Sequence, residues 1–339
     1  MKRKGMAWVW LTSAGLFGAV LTFLLMSRIP AHAASHLSPD AGKTAQKPVD
    51  CGYTVVRVSG FRRVQPVLYS EPLCESERFH GMRNEIGALI ERLKASGQIS
   101  SMSVYVRDFE KAEWTWCNGD ELYDPGPMRK FPLLLAWLSM VDEDPSVMAK
   151  MWNCSAAEAA TEQSTMVHSD MIVPGHSYST DQLIKGMVER SDDRATAVLY
   201  DHLPTERYTR TLKELGLPVP ASGGEPFRLN VRDYSIFMKA LYNSSYLSPS
   251  RSEYALDLMT RCAFKQGLAA GVPEGVEIAH KFTEVQGMDG KELHETALVY
   301  MEGYPYLITV MTRGARVDSL ASAMADVSRV VYARIRTEQ

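Results

Sequence analysis

The sequence predicts an α+β fold, an antiparallel sheet flanked by N- and C-terminal helices and set beside an all-helical lobe. Three patterns carry that expectation. Phe79 to Ser96 repeats apolar residues at helical spacing and runs into two strand-like segments. From Asp142 to about Gln266 nearly every periodic segment reads as helix. The chain then returns to three strand-like runs and closes on an amphipathic helix.

The chain has 339 residues, 45% hydrophobic and 23% charged, enough for one large or two modest domains with a full core. It opens with Lys2-Arg3-Lys4, an apolar run from Met6 to Met26 and an A-x-A-type site at Ala31-His32-Ala33, so residues 1–33 read as a signal peptide or signal anchor. The apolar run, about 21 residues, is long enough to span a bilayer, which leaves cleavage and anchoring both open. Either way the body is expected outside the cytoplasm, secreted or attached to the membrane by this segment. Without residues 1–33, which hold Lys2, Arg3, Lys4 and Arg28 but no acid, the formal charge falls from −3 to −7. That argues against nucleic acid as a partner.

Residues 34–52 are small, polar and proline-marked, a linker composition. Residues 53–78 read as an extended arm lying on the body, with a short strand at Tyr53–Ser59 and prolines at 66 and 72. Five cysteines (51, 74, 117, 154 and 262) are too widely spaced for a metal motif, and no cofactor signature occurs. Cys51–Cys74 is the expected disulfide; the alternative is that most of the five are small buried apolar residues.

Residues 79–339 form the body. After the first helix come strands at Met102–Phe109 and Glu113–Cys117. Tyr123-Asp124-Pro125-Gly126-Pro127 is a breaker-rich turn, and the apolar run behind it, with Lys130 about one turn in, is a helix for the middle of a domain. Helices are expected in the lobe at Ser146–Trp152, Ser155–Glu162, Thr180–Val188, Asp193–Asp201, Glu206–Leu215, Val231–Leu241 and Pro249–Arg261. Strands at Val276–Thr283, Glu292–Met301 and Tyr306–Thr312 precede a helix from Asp318 to Ile335.

Ser103-Val-Tyr-Val-Arg-Asp108, the second strand, and Pro125-Gly-x-x-x-Lys130-x-Pro132 together resemble the approach to the nucleophile helix of class A serine β-lactamases and related penicillin-binding proteins. That family carries S-x-x-K there, the Ser being acylated. Lys130 matches the Lys, and the Ser position is Pro127. Sixty-one residues on, Ser191-Asp192-Asp193 resembles the family's S-D-N element, Asp193 replacing the Asn. His280-Lys281-Phe282-Thr283 resembles K-T-G, with Lys281 on the Lys and Thr283 on the Gly. Leu293 to Tyr300 and Tyr304 to Gly314 resemble the closing strands, while no E-x-x-L-N element lies between Gly216 and Phe227. The resemblance spans about residues 79–336.

It implies a β-lactamase/transpeptidase-like fold in which Lys130, Ser191 and Lys281 line a cleft suited to a carboxylate, with Thr283 beside them. Proline has no hydroxyl to attack with and no N–H for an oxyanion hole, so two catalytic parts vanish at Pro127. Three functions stay open: a non-acylating relative that binds a peptidoglycan peptide or an envelope protein, an acyl hydrolase of β-lactamase or D,D-peptidase type using another nucleophile such as Ser191, and an envelope scaffold with an inert cleft.

Overall fold

The computed structural model describes residues 55–57, 62–64, 67–70, 75–126, 130–155, 164–169, 171–220, 227–287 and 290–337. All belong to one compact unit, Asp50–Gln339. The signal segment, the linker, the Cys51–Cys74 pairing and Pro127 lie outside the described residues, as do the expected helix at Ser155–Glu162 beyond its first residue and most of the stretch where E-x-x-L-N was sought.

The arm is not simply extended. Strands β1 (Val55–Arg57) and β2 (Val67–Ser70) pair antiparallel within it. Between them Val64 is buried, and Arg63 is ion-paired with Asp257 at 3.0 Å and Glu277 at 3.3 Å. Helix α1 (His80–Ala95) buries Met82, Ile86, Leu89, Ile90 and Leu93, the stripe its spacing specifies. It leads into β3 (Ser101–Asp108) and β4 (Trp114–Cys117).

Helix α2 (Lys130–Glu143) is buried continuously from Lys130 to Leu138, as befits a helix apolar on nearly every side. The helix expected at Ser146–Trp152 is instead a 3-10 turn at Pro145–Ala149 followed by β5 (Met151–Asn153). Trp152 is half-buried between exposed neighbours, a period of two that suits a strand, and β5 pairs with β6 (Ser177–Ser179). The stretch 142–266 therefore holds a strand pair among its helices. These are α3 (Thr180–Glu189), α4 (Asp193–Asp201), α5 (Thr205–Glu214), α6 (Val231–Tyr242) and α7 (Pro249–Thr260). Ser179, Asp192, Asn230 and Ser248 cap α3, α4, α6 and α7 with side-chain oxygens, which is why these starts were sharp in the sequence.

Strands β7 (Glu277–Gly287), β8 (Gly290–Tyr300) and β9 (Tyr306–Gly314) precede α8 (Val317–Thr337). The sheet runs β4-β3-β9-β8-β7, antiparallel throughout. On one face Val104, Val106, Ile308 and Val310 pack with α1 and α8; on the other Tyr105, Leu307 and Met311 join the core built on α2 and α6. The period-two alternation of the strands supplies both faces. Edge strand β7 therefore ends up beside the helical lobe. Among the described residues no helix is long and apolar enough to cross a membrane.

Candidate functional site

The turn before α2 is fixed by β8. The Asp124 N–H donates to Glu292 Oε2 at 2.9 Å, and His294 Nε2 lies 2.9 Å from Asp124 O. His294 Nδ1 accepts from the Thr312 N–H at 3.4 Å, so the ring proton is assigned to Nε2. Burial pushes the Glu292 carboxyl pKa up, but hydrogen bonds from His294 and Arg313 outweigh it and hold the group below its ordinary value. Gly126 adopts φ +53° with its α-carbon against β7, where a Cβ would stand 2.2 Å from Val285 Cγ2. Only glycine meets both demands.

Lys130 heads α2 and is 4% exposed. Its ammonium has three protons and three close oxygens: Ser191 Oγ at 2.8 Å, Ser191 O at 2.9 Å and Asp193 Oδ1 at 2.7 Å. Ser191 links α3 to α4 with φ +54°, a left-handed conformation that a non-glycine residue holds at a cost of about 1 kcal/mol. The turn is closed by the Asp192 N–H donating to Gly186 O at 3.0 Å. Asp192 Oδ1 then accepts from the Ala195 N–H and starts α4. The structure thus brings Lys130, Ser191 and Asp193 into direct contact, while Pro127 is outside the described residues.

Lys281 and Thr283 alternate onto the same face of β7 and are 2% and 3% exposed. Burial, and after it the charge of Lys130, lowers the Lys281 pKa to about 7, against weaker opposite pulls from Cys262, Asp193 and Glu295. Among the described residues its one hydrogen bond is long, 3.4 Å to Phe282 O. Two lysines thus share the field of one close carboxylate. The Tyr234 hydroxyl of α6 lies near Thr283 without reaching hydrogen-bond geometry, and burial drives its pKa up. Behind the same strand His280 Nδ1 and Glu295 Oε1 meet at 2.7 Å, both fully buried, and Glu295 Oε2 takes the Leu268 N–H at 2.7 Å. Among the described residues no cluster could hold a metal ion.

A strap from Ser164 to Ser169 ties the two sides together. Glu284, next to Thr283, accepts from the Thr165 N–H at 2.9 Å, Thr165 Oγ1 at 2.5 Å and Ser164 Oγ at 3.1 Å. At its other end Ser169 Oγ donates to Asp192 Oδ2 at 2.6 Å, and Val167 between them is buried in the Phe282 cluster. The strap therefore bridges the strand of Lys281 and the turn of Ser191. Lys130, Ser191, Lys281 and Thr283 are each at most 4% exposed.

A five-stranded antiparallel sheet between terminal helices and a helical lobe, with lysines on the central helix and the edge strand around a serine turn, is the β-lactamase/transpeptidase-like architecture. The model of the beta-lactamase enzyme family matches residues 82–335, and the chain belongs to that family. The structure of PBP-A is similar with a TM-score of 0.66 and 22% identity, covering 78% of this chain and 99% of that one. A PBP-A mutant of equal TM-score is an acyl-enzyme complex with penicillin G. The beta-lactamase from Sphaerobacter thermophilus DSM 20745 gives 0.65 at 18% identity, over 75% of this chain and 98% of its own. No curated protein sequence matches the chain.

Glu284, Glu292, His294 and Asp192 position this site, yet none stood out in the sequence. Asp192 alone left a usable signal, an acid immediately before a helical period. The others act across 119 to 170 residues of chain.

Proposed function

We infer that this protein is a non-acylating member of the beta-lactamase enzyme family that acts in the cell envelope by binding a cell-wall peptide or a protein partner. The observation that carries the reading is the state of Lys130. In S-x-x-K chemistry the lysine serves a neighbouring serine; here its three protons go to Ser191 and Asp193, and the residue three positions before it is proline. The basic segment and apolar run at residues 2–26 support export. Lys281, short of hydrogen bonds beside Lys130, offers the countercharge for a peptide carboxylate once the Glu284 strap yields.

Two measurements test this. Equilibrium binding of muropeptides to the full chain is expected to be saturable, reversible and weakened about tenfold by Lys281→Ala; no binding, or binding indifferent to that change, defeats the peptide assignment. Restoring a hydroxyl by Pro127→Ser is expected to leave nitrocefin unhydrolysed, because Lys130 stays engaged with Asp193 and Thr283 stays buried. Rapid turnover by that single variant would overturn the reading.

A further inference from the structure

Tyr105 pairs with Trp116, and Arg107 with Trp114, across β3 and β4. Directly opposed residues of an antiparallel pair share a face, so three aromatic rings and a guanidinium stand together at the sheet's edge. Helix α6 adds two more cations. The Arg232 guanidinium carbon lies 5.0 Å from the Trp114 ring centre and 5.9 Å from that of Trp116, and Lys239 Nζ lies 5.2 Å from Tyr105. Arg232 is exposed, whereas Arg107, Trp114, Trp116 and Lys239 are half-buried, so the cluster opens to solvent at one end.

Among the described residues the charges of this cluster do not balance. Burial, then the charges of Arg107 and Arg232, lowers the Lys239 pKa to about 7, and Asp233 is the one acid pulling it back. No carboxylate reaches salt-bridge distance of Arg107, Arg232 or Lys239 among the described residues, and Arg107 Nε is buried without a hydrogen bond. Three other arginines are ion-paired: Arg63, buried, holds Glu253, Asp257 and Glu277, and half-buried Arg78 and Arg313 hold Asp108 with Glu113 and Glu121 with Glu292, although the Nε of Arg63, like those of Arg194 and Arg251, is also buried without a hydrogen bond. Ring faces alone offset such cations by only about 0.5–1 kcal/mol each at exposed sites.

We propose that Arg107, Arg232 and Lys239 form a binding site for a phosphate-bearing ligand, the oxyanion supplying a countercharge that no described residue brings within salt-bridge distance and Trp114 and Trp116 flanking the group that carries it. Two guanidinium forks and an ammonium exceed what one carboxylate can neutralise, whereas a phosphate presents more charge and more acceptor oxygens to planar donors. The inference shares no residue with the Lys130 cluster and stands apart from its reading.

The test is thermal unfolding and direct titration of the full chain with inorganic phosphate, with poly(glycerol phosphate) and with poly-glutamate. Inorganic phosphate or poly(glycerol phosphate) is expected to raise the Tm of the unaltered protein, the tighter of the two assigning a free anion or a phosphodiester polymer. Lys239→Met and Arg107→Gln are each expected to weaken that binding about tenfold or more, while Lys213→Gln, which removes an exposed charge on α5, leaves it unchanged. Without ligand, Lys239→Met is expected to unfold at a higher temperature than the parent, so its loss of binding is not a loss of folding. No response to either phosphate probe, equal weakening by Lys213→Gln, or a stronger response to poly-glutamate would overturn the proposal.

Discussion

Replacing Lys130 with methionine is expected to destabilise the protein by about 3–5 kcal/mol, the cost of leaving a buried ion-pair partner alone. The acid left behind is Asp193, largely withdrawn from water and 2.7 Å from the vanished ammonium, and two oxygens of Ser191 lose their donor as well. The left-handed turn at Ser191 loses its tether together with the charge. Because one interaction is shared, the losses are not additive. Asp193→Asn in the Lys130→Met background should restore much of the stability by removing the orphan charge. Denaturant midpoints across the four-protein cycle measure this; a Lys130→Met variant as stable as the parent would mean that the lysine is not held as described.

Lys281→Met should act in the opposite direction, stabilising the fold by about 2–4 kcal/mol near neutral pH. The residue is 2% exposed, its amine has one long hydrogen bond among the described residues, and Lys130 repels it. A methionine of similar length fills the space without the charge. The pH dependence follows from the same shift. The folded-state pKa of about 7 lies below the unfolded value of about 10.4, so between these limits the unfolded chain binds more protons and stability rises with pH. Below about pH 7 both states are protonated and the penalty is complete and constant. Lys239, lowered to about 7 by burial and its cationic neighbours, adds to the same window. Urea unfolding at about pH 7 and about pH 9 should show the parent gaining stability and Lys281→Met gaining distinctly less. Equal gains in both proteins would mean that Lys281 is not buried as a strained cation.

The helical lobe was legible because its helices are written locally. Asp193–Asp201 was placed to the residue, and α3, α5, α6 and α7 to within one at each end, since apolar periodicity and the caps Ser179, Asn230 and Ser248 agree. The short pair β5 and β6 escaped because three-residue strands carry almost no periodic signal, and its partners lie 24 to 28 residues apart. In the arm the strand expected at Tyr53–Ser59 contains β1, but its partner Val67–Ser70 escaped for a similar reason, the pairing being a non-local match. At the site, motif order brought out Lys130, Ser191, Asp193, Lys281 and Thr283, because side chains that share one chemistry recur in recognisable company. What surrounds them did not follow. Glu284 gripping Thr165, Glu292 and His294 gripping Asp124, and His280 paired with Glu295 arise from sheet register, in which a one-residue slip would turn each side chain to the other face.

The strap changes what the cleft can do. If a peptide aligns on β7 as proposed, it meets Ser164 and Thr165 already bound to Glu284.

The most direct test of the central claim is the intact mass of the full chain after incubation with a reporter penicillin. With proline at position 127 and Lys130 committed to Ser191 and Asp193, the mass should remain that of the unmodified protein at every time point. A stable gain of one penicilloyl group per chain would contradict it, since that bond requires an attacking side chain.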